Sequence, residues 1–369
     1  MSNLYIEKLH VEDYGCLKNV DMELSRLHAL VGPNDSGKST LLRAMRLGVQ
    51  LAGGSIQVSS ENGNWLPFDP EPLGESLRLD LRLDGGRYTY QLERRLLSGF
   101  RERLIETEEF GNEEPIEEAN RELHTTGLLY ASSLPSLRRK RFGHLSAYFE
   151  RGTRLLHLDP DAMRAPSQLI PETDQIQLQN ESGFGLPAVY DNILNRGDDT
   201  FRQIVEDVRR LFPTVKNMRL KVTDPSTKVL EAELKTGQRV PAKYMSDGLL
   251  YYLAFAALRA MAPPAILLVE EIENGLHPAR IQEVMGIMRE ISKETQVVIA
   301  THSPLVINEM QGDEVSVVTR RPKEGTRVTL LRDTANFKER SKVYALGELW
   351  LSYANGVDEA ALLADEEAS

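Results

Sequence analysis

"VGPNDSGKST", Val31–Thr40, is the stretch on which the fold turns. It fits G-x-x-x-x-G-K-[ST] through Gly32, Gly37, Lys38 and Ser39. Glycines at this spacing let backbone N–H groups turn inward on an anion, and the helix that follows presents its positive end to the same anion. Lys38 then reaches the β- and γ-phosphates, and the Ser39 hydroxyl ligates magnesium. The whole loop, Gly32, Pro33, Asn34, Asp35, Ser36, Gly37, Lys38, Ser39 and Thr40, is expected to hold ATP. Average residue frequencies place a chance match in roughly 1% of chains of this length. The flanks agree with the motif. "VDMELSRLHALVG" reads as strand, turn, strand and delivers the chain into the loop. "SGKSTLLRAMRLGVQLAGG" reads as a helix with Leu41, Leu42, Met45 and Val49 on one side, ended by Gly53 and Gly54.

Three further stretches carry chemistry. In "AILLVEEIE" an apolar run, read as a strand buried on both faces, ends in two carboxylates. Glu270 is the expected magnesium carboxylate, and Glu271 is the expected group that polarises the attacking water. "VVIATHSP" reads as another core strand, and His302 at its end is placed to hydrogen-bond the γ-phosphate or the attacking water. "KYMSDGLLYYLAFAAL" puts Ser246 and Gly248 at the start of an apolar helix. Ser246 reads either as an ordinary N-cap or as part of an anion site for a γ-phosphate held by another subunit.

Strands and helices alternate around the phosphate loop, which predicts an α/β fold with a largely parallel, doubly wound sheet. "LYIEKLHVEDYG" alternates as a half-buried strand does. "SLRLDLRLDGGRYTYQLERRL" predicts a hairpin turning at Asp84-Gly85-Gly86, with "RERLIETEEF" as a third strand. These form an expected antiparallel β-subdomain over 55–125, within which 114–124 reads as helical and "GLLYAS" just beyond as a buried strand. A helical and loop insertion is expected over 134–215, including an amphipathic helix in "DDTFRQIVEDVRRLFP". Short strands, a helix from about 248 to 261 and another over about 278–292 complete the pattern. The whole of 1–369 reads as a single head, with an acidic, frayed tail at 355–369.

Composition narrows the function. The net charge of −11 excludes a uniformly basic nucleic-acid binder but leaves room for a local patch. "LRRKRFGH" is the densest basic run; it reads first as a solvated face and second as a contact to a phosphate backbone. No apolar run approaches a membrane span, and no signal peptide is apparent. Cys16 is the single cysteine, which fits a reducing cytoplasm.

Taken in order, these motifs resemble the ABC-type ATPases related to RecF and SMC heads, and most of all the OLD-like (overcoming lysogenization defect) ATPases of bacterial antiphage systems. The likeness runs over nearly the whole chain: "YIEKLHVEDYGCLKNVDMEL" looks like their opening strands, "GPNDSGKST" like their Walker A, "YMSDG" like a reduced signature motif, "VEEIENGLHP" like their Walker B and D-loop, and "ATHSP" like their switch histidine. "YASSLPSLRRK" sits where a strand leads to their Q-loop, without a glutamine; Gln168 and Gln175 fit that role poorly. Gly15 stands where relatives often carry a basic residue. The resemblance implies a head that dimerises head-to-tail around two ATP molecules, with Ser246 and Gly248 acting in trans and Asn274 and His277 at the subunit boundary. Full OLD proteins carry a nuclease domain after the ATPase. About sixty residues follow His302, near the low end of domain size, so a separately encoded nuclease or toxic effector is expected as partner. The alternative is a RecF-like DNA repair ATPase; "EEIENGLHP" favours the OLD-like side. An SMC head that has lost its arms is disfavoured by the absence of sustained heptads.

Overall fold

The computed structural model describes residues 4–53, 78–83, 88–95, 99–107, 113–121, 136–171, 174–321, 324–334 and 337–354. The chain falls into two compact units: Met1–Arg154 with Pro264–Leu268 and Ser292–Ser369, and Leu155–Pro263 with Val269–Ile291. The first unit opens with β1 (Ile6–Tyr14), β2 (Leu17–Glu23), β3 (Leu27–Val31), α1 (Lys38–Ala52), β4 (Arg78–Leu83), β5 (Tyr88–Arg95), β6 (Gly99–Thr107), β7 (Glu113–Arg121) and α2 (Ser136–Glu150). β8 (Thr153–Leu156) carries the chain into the second unit, which holds α3 (Pro160–Arg164), β9 (Ser167–Gln168), α4 (Leu186–Asn195), α5 (Thr200–Leu211), β10 (Val215–Asp224), β11 (Thr227–Leu234), β12 (Arg239–Pro241) and α6 (Asp247–Ala257). β13 (Ile266–Glu270) starts among first-unit residues and ends in the second unit, where α7 (Pro278–Ile291) follows. β14 (Gln296–Thr301), α8 (Pro304–Asn308), β15 (Val315–Arg321), β16 (Gly325–Leu330), α9 (Phe337–Arg340) and α10 (Leu346–Ala354) return to the first.

The core sheet has the order β16-β15-β3-β14-β13-β8. β14 and β15 both run parallel to β3, and β16 closes the edge antiparallel to β15. All five residues of β3 and all six of β14 are buried, as strands covered on both faces must be. Each fully buried Val, Leu or Ile here contributes roughly 1.5–3 kcal/mol. The one imidazole in β3 obeys the same rule. His28 is fully buried, its Nε2 lies 2.9 Å from Ser316 Oγ, and burial pushes its pKa down to about 3, so it is neutral near pH 7.

A second sheet, in the order β2-β1-β4-β5-β6-β7, is antiparallel throughout. Leu79, Leu81 and Leu83 of β4 are buried and alternate with half-buried polar residues, which matches the alternation in the sequence. Leu83 pairs with Tyr88 across the expected hairpin, whose turn lies outside the described residues. One local expectation is corrected: within 114–124, residues up to Arg121 belong to an edge strand rather than a helix. Pro115 has no N–H to donate, which an edge strand tolerates and a helix interior does not. Pairing to β6 overrides the helical preference of the glutamates and alanine around it. "GLLYAS" and the acidic tail lie outside the described residues.

The second unit has its own antiparallel sheet, β10-β11-β12 with β9 on β11. α5 turns Ile204, Val205 and Val208 inward and leaves Arg202, Arg209 and Arg210 outside, which confirms its amphipathic reading. α6 is of the other kind: every residue from Gly248 to Ala257 is buried, so it is an internal helix. A short 3₁₀ turn, Leu258–Ala260, ends it before the expected position. Among the described residues no helix is long and apolar enough to cross a membrane.

Candidate functional site

The first unit builds the phosphate loop between β3 and α1. Asp35 and Gly37 both adopt positive φ, 63° and 108°. Gly37 is the N-cap residue of α1, and no side chain caps that end, so the first amides of α1 stay open to an anion. Lys38 Nζ reaches across the loop and donates to Gly32 O at 2.8 Å and Pro33 O at 2.7 Å. Ser36 is buried, and its Oγ has no protein partner. His302 follows Thr301, which pairs with Val31 immediately before the loop. The parallel register therefore places an exposed His302 one residue past that pair, level with Gly32. Thr301 Oγ1 accepts from Ser303 N at 3.0 Å and pins the turn behind the histidine.

One part of this loop has no signal in the motif. Thr326, at the start of β16 and 3% exposed, donates through Oγ1 to Ser36 O at 2.8 Å. The same hydroxyl lies 2.4 Å from where a Cβ on Gly37 would be, so the final hairpin closes over the loop as well as bracing it. Cys16 adds a contact at Thr40 Oγ1, 3.5 Å away. Thr326→Val keeps the shape and leaves a buried carbonyl without its donor, a loss of about 1–3 kcal/mol. If half of that appears as loop disorder, ATP affinity falls about twofold to twelvefold. Thr326→Ser should restore it. Calorimetric titration with ATP checks this, and an unchanged Kd in Thr326→Val would show that the hairpin does not set the loop.

The second unit holds the carboxylates and the start of α6. Glu270 ends β13 with its side chain only 10% exposed. Its Oε2 is 2.9 Å from His157 Nδ1, and its Oε1 is buried without a protein partner. Such an oxygen is expensive to leave dry, and a hydrated cation would satisfy it. Magnesium is held by one or two carboxylates together with waters and substrate phosphates. That fits a site where, among the described residues, no group of three or more His, Cys, Asp or Glu is arranged as a metal cage. Glu271 has φ 51°, a left-handed conformation that costs a non-glycine residue about 1–3 kcal/mol. Asn274 secures it twice: Nδ2 donates to Oε2 at 2.5 Å, and its backbone N donates to Glu271 O at 2.9 Å.

Ser246 takes the N-cap position of α6, yet its hydroxyl makes no capping hydrogen bond and the residue is exposed. Ser246 is the N-cap residue by position, and the side-chain bond of an ordinary cap is not made. A Cβ on Gly248 would meet Gly275 O at 2.8 Å, so the start of α6 is pressed against the turn after the carboxylates, which needs glycine there. Asp247 would repel an anion at this helix end. Arg164 offsets it, pairing with Asp247 and donating to Met245 O at 3.2 Å. Neither Arg164 nor His157 stood out in the sequence. The strand beside β13 is β8, followed by His157, whereas Ser136–Glu150, which begins within the stretch compared with a Q-loop region, is helical. Gln168 lies in β9, paired with β11.

The loop between β3 and α1 and the strand order of the core sheet define a P-loop ATPase head, similar in fold to SMC heads. The chain belongs to the family described as "AAA domain, putative AbiEii toxin, Type IV TA system", which matches residues 27–308. A second AAA-domain family matches residues 4–48. The chain is similar to the OLD nuclease of Thermus scotoductus, 45% identical over 42 residues, which is 11% of this chain and 8% of that protein. It thus spans under a tenth of that relative's length. An SMC head bound to the C-winged helix domain of ScpA superposes with a TM-score of 0.54 at 18% identity, covering 88% of this chain and 97% of that one. A head domain with an extended coiled coil from Pyrococcus furiosus, bound to the C-terminal domain of ScpA, gives 0.49 at 15% identity over 92% and 98%. The first of these shows the fold.

Proposed function

We propose that this protein binds and hydrolyses ATP between two copies of itself, head to tail, and that closure of the dimer controls a separately encoded effector in bacterial defence against phage. The exposed, uncommitted Ser246 hydroxyl carries the dimer reading. It stands at a helix start whose one acidic charge Arg164 offsets, so the end of α6 is fitted to receive a phosphate from outside. Lys38 draws the β- and γ-phosphates, His302 donates to the γ-phosphate, and Glu271 takes the proton of the attacking water. Ser39 and Glu270 would hold magnesium, which when bound neutralises the phosphate charge. The defence reading is supported by the family's description, which names a putative toxin and a toxin–antitoxin system, and by the short match to a nuclease of the OLD type.

The test is expression of the tagged chain with its neighbouring reading frames. With ATP, and not with ADP, light scattering should give twice the 41.6 kDa chain mass, and a neighbour's product should co-purify. A constant mass in both nucleotides, with no neighbour product retained, would defeat the proposal.

A further inference from the structure

His157 does not belong to any of the motifs, yet among the described residues its ring is bonded to the carboxylate at the end of β13. Nδ1 lies 2.9 Å from Glu270 Oε2, while Oε1 of the same carboxylate is buried with no protein partner. An end-of-strand glutamate has several rotamers, and its carboxylate plane is free to turn. A hydrogen bond to one oxygen removes that freedom and commits the other to a single direction. The imidazole is itself held from its own backbone. His157 N donates to Glu181 O at 3.0 Å, Asp159 N donates to Ser182 O at 3.0 Å, and Leu158 O accepts from Tyr251 OH on α6 at 3.1 Å. The ring therefore stands on a backbone segment tied on both sides and is 58% exposed. A carboxylate at Nδ1 also requires a proton on that nitrogen. In this pair Nδ1–H donates to Glu270 Oε2.

We propose that His157 is a positioning residue for the nucleotide's magnesium: it orients Glu270 so that Oε1 is presented to the hydrated ion. This rests on the ATPase reading above and adds to it a residue type that the sequence pattern left without a candidate. Imidazole–carboxylate pairs around metal sites contribute about tenfold to a hundredfold in metal affinity when intact.

The probe is a fluorescent methylanthraniloyl-ATP, titrated into the full chain with magnesium and, separately, with EDTA. In His157→Ala the magnesium-dependent gain in affinity should shrink about tenfold, with the Kd in EDTA unchanged. His157→Asn, whose Nδ2–H can stand where Nδ1–H stood, should recover most of that gain. Three results would overturn the assignment: His157→Ala matching the wild type in both buffers, His157→Ala losing affinity equally in both, or His157→Asn behaving no better than alanine. A wild-type chain that binds the probe in neither buffer would overturn the ATPase reading and this inference with it.

Discussion

Lys38→Ala should bind ATP at least about a hundredfold more weakly than the wild type, a loss of some 2.7 kcal/mol or more. The size follows from what the ammonium does. It is the only side-chain cation the loop motif supplies to the β- and γ-phosphates, and it lies over the loop concavity, in reach of Gly32 O and Pro33 O. Charge-assisted bonds to phosphate are about twice as strong as neutral ones, and alanine replaces none of them. The fold should survive, because Lys38 is only half buried and α1 is held by Leu41, Leu42 and Met45. Calorimetric titration, with a circular dichroism melt as control, measures both. Wild-type affinity in this variant would remove the phosphate-loop assignment.

Glu271→Gln should bind ATP normally, hydrolyse it about 10²–10⁴-fold more slowly, and collect as a dimer. The substitution removes the proton acceptor and little else. Glutamine has the same length, pays the same cost at φ 51°, and its Oε1 can still accept from Asn274 Nδ2. The strained backbone has a purpose under this reading: it turns the side chain aside from the strand direction that Glu270 follows, so two adjacent acids serve two tasks. Steady-state phosphate release and light scattering with ATP report the two halves of the prediction. Turnover at the wild-type rate would leave Glu271 without a chemical role.

The elements that carry the candidate residues are readable in contiguous stretches of sequence. Lys38 at the start of α1, Glu270 at the end of β13 and His302 at the end of β14 all lie where the sequence places them. Local spacing decides these, since a loop that cradles phosphate needs its glycines within a few residues and a buried strand shows as an unbroken apolar run. β7 was misread because glutamate-rich segments favour helix until a partner strand supplies hydrogen bonds.

What the sequence by itself determined is the kind of molecule: a triphosphate loop, a pair of acids and a histidine on an α/β sheet. What only the tertiary structure decided is who supports them. Thr326 meets Ser36 across 290 residues of sequence, and His157 meets Glu270 only because the chain returns to lay β8 in the same sheet as β13. Such supports are single side chains with no repeat, run or fixed offset. Their placement is set by the closure of long loops and the packing of the core, quantities that no short stretch of sequence contains.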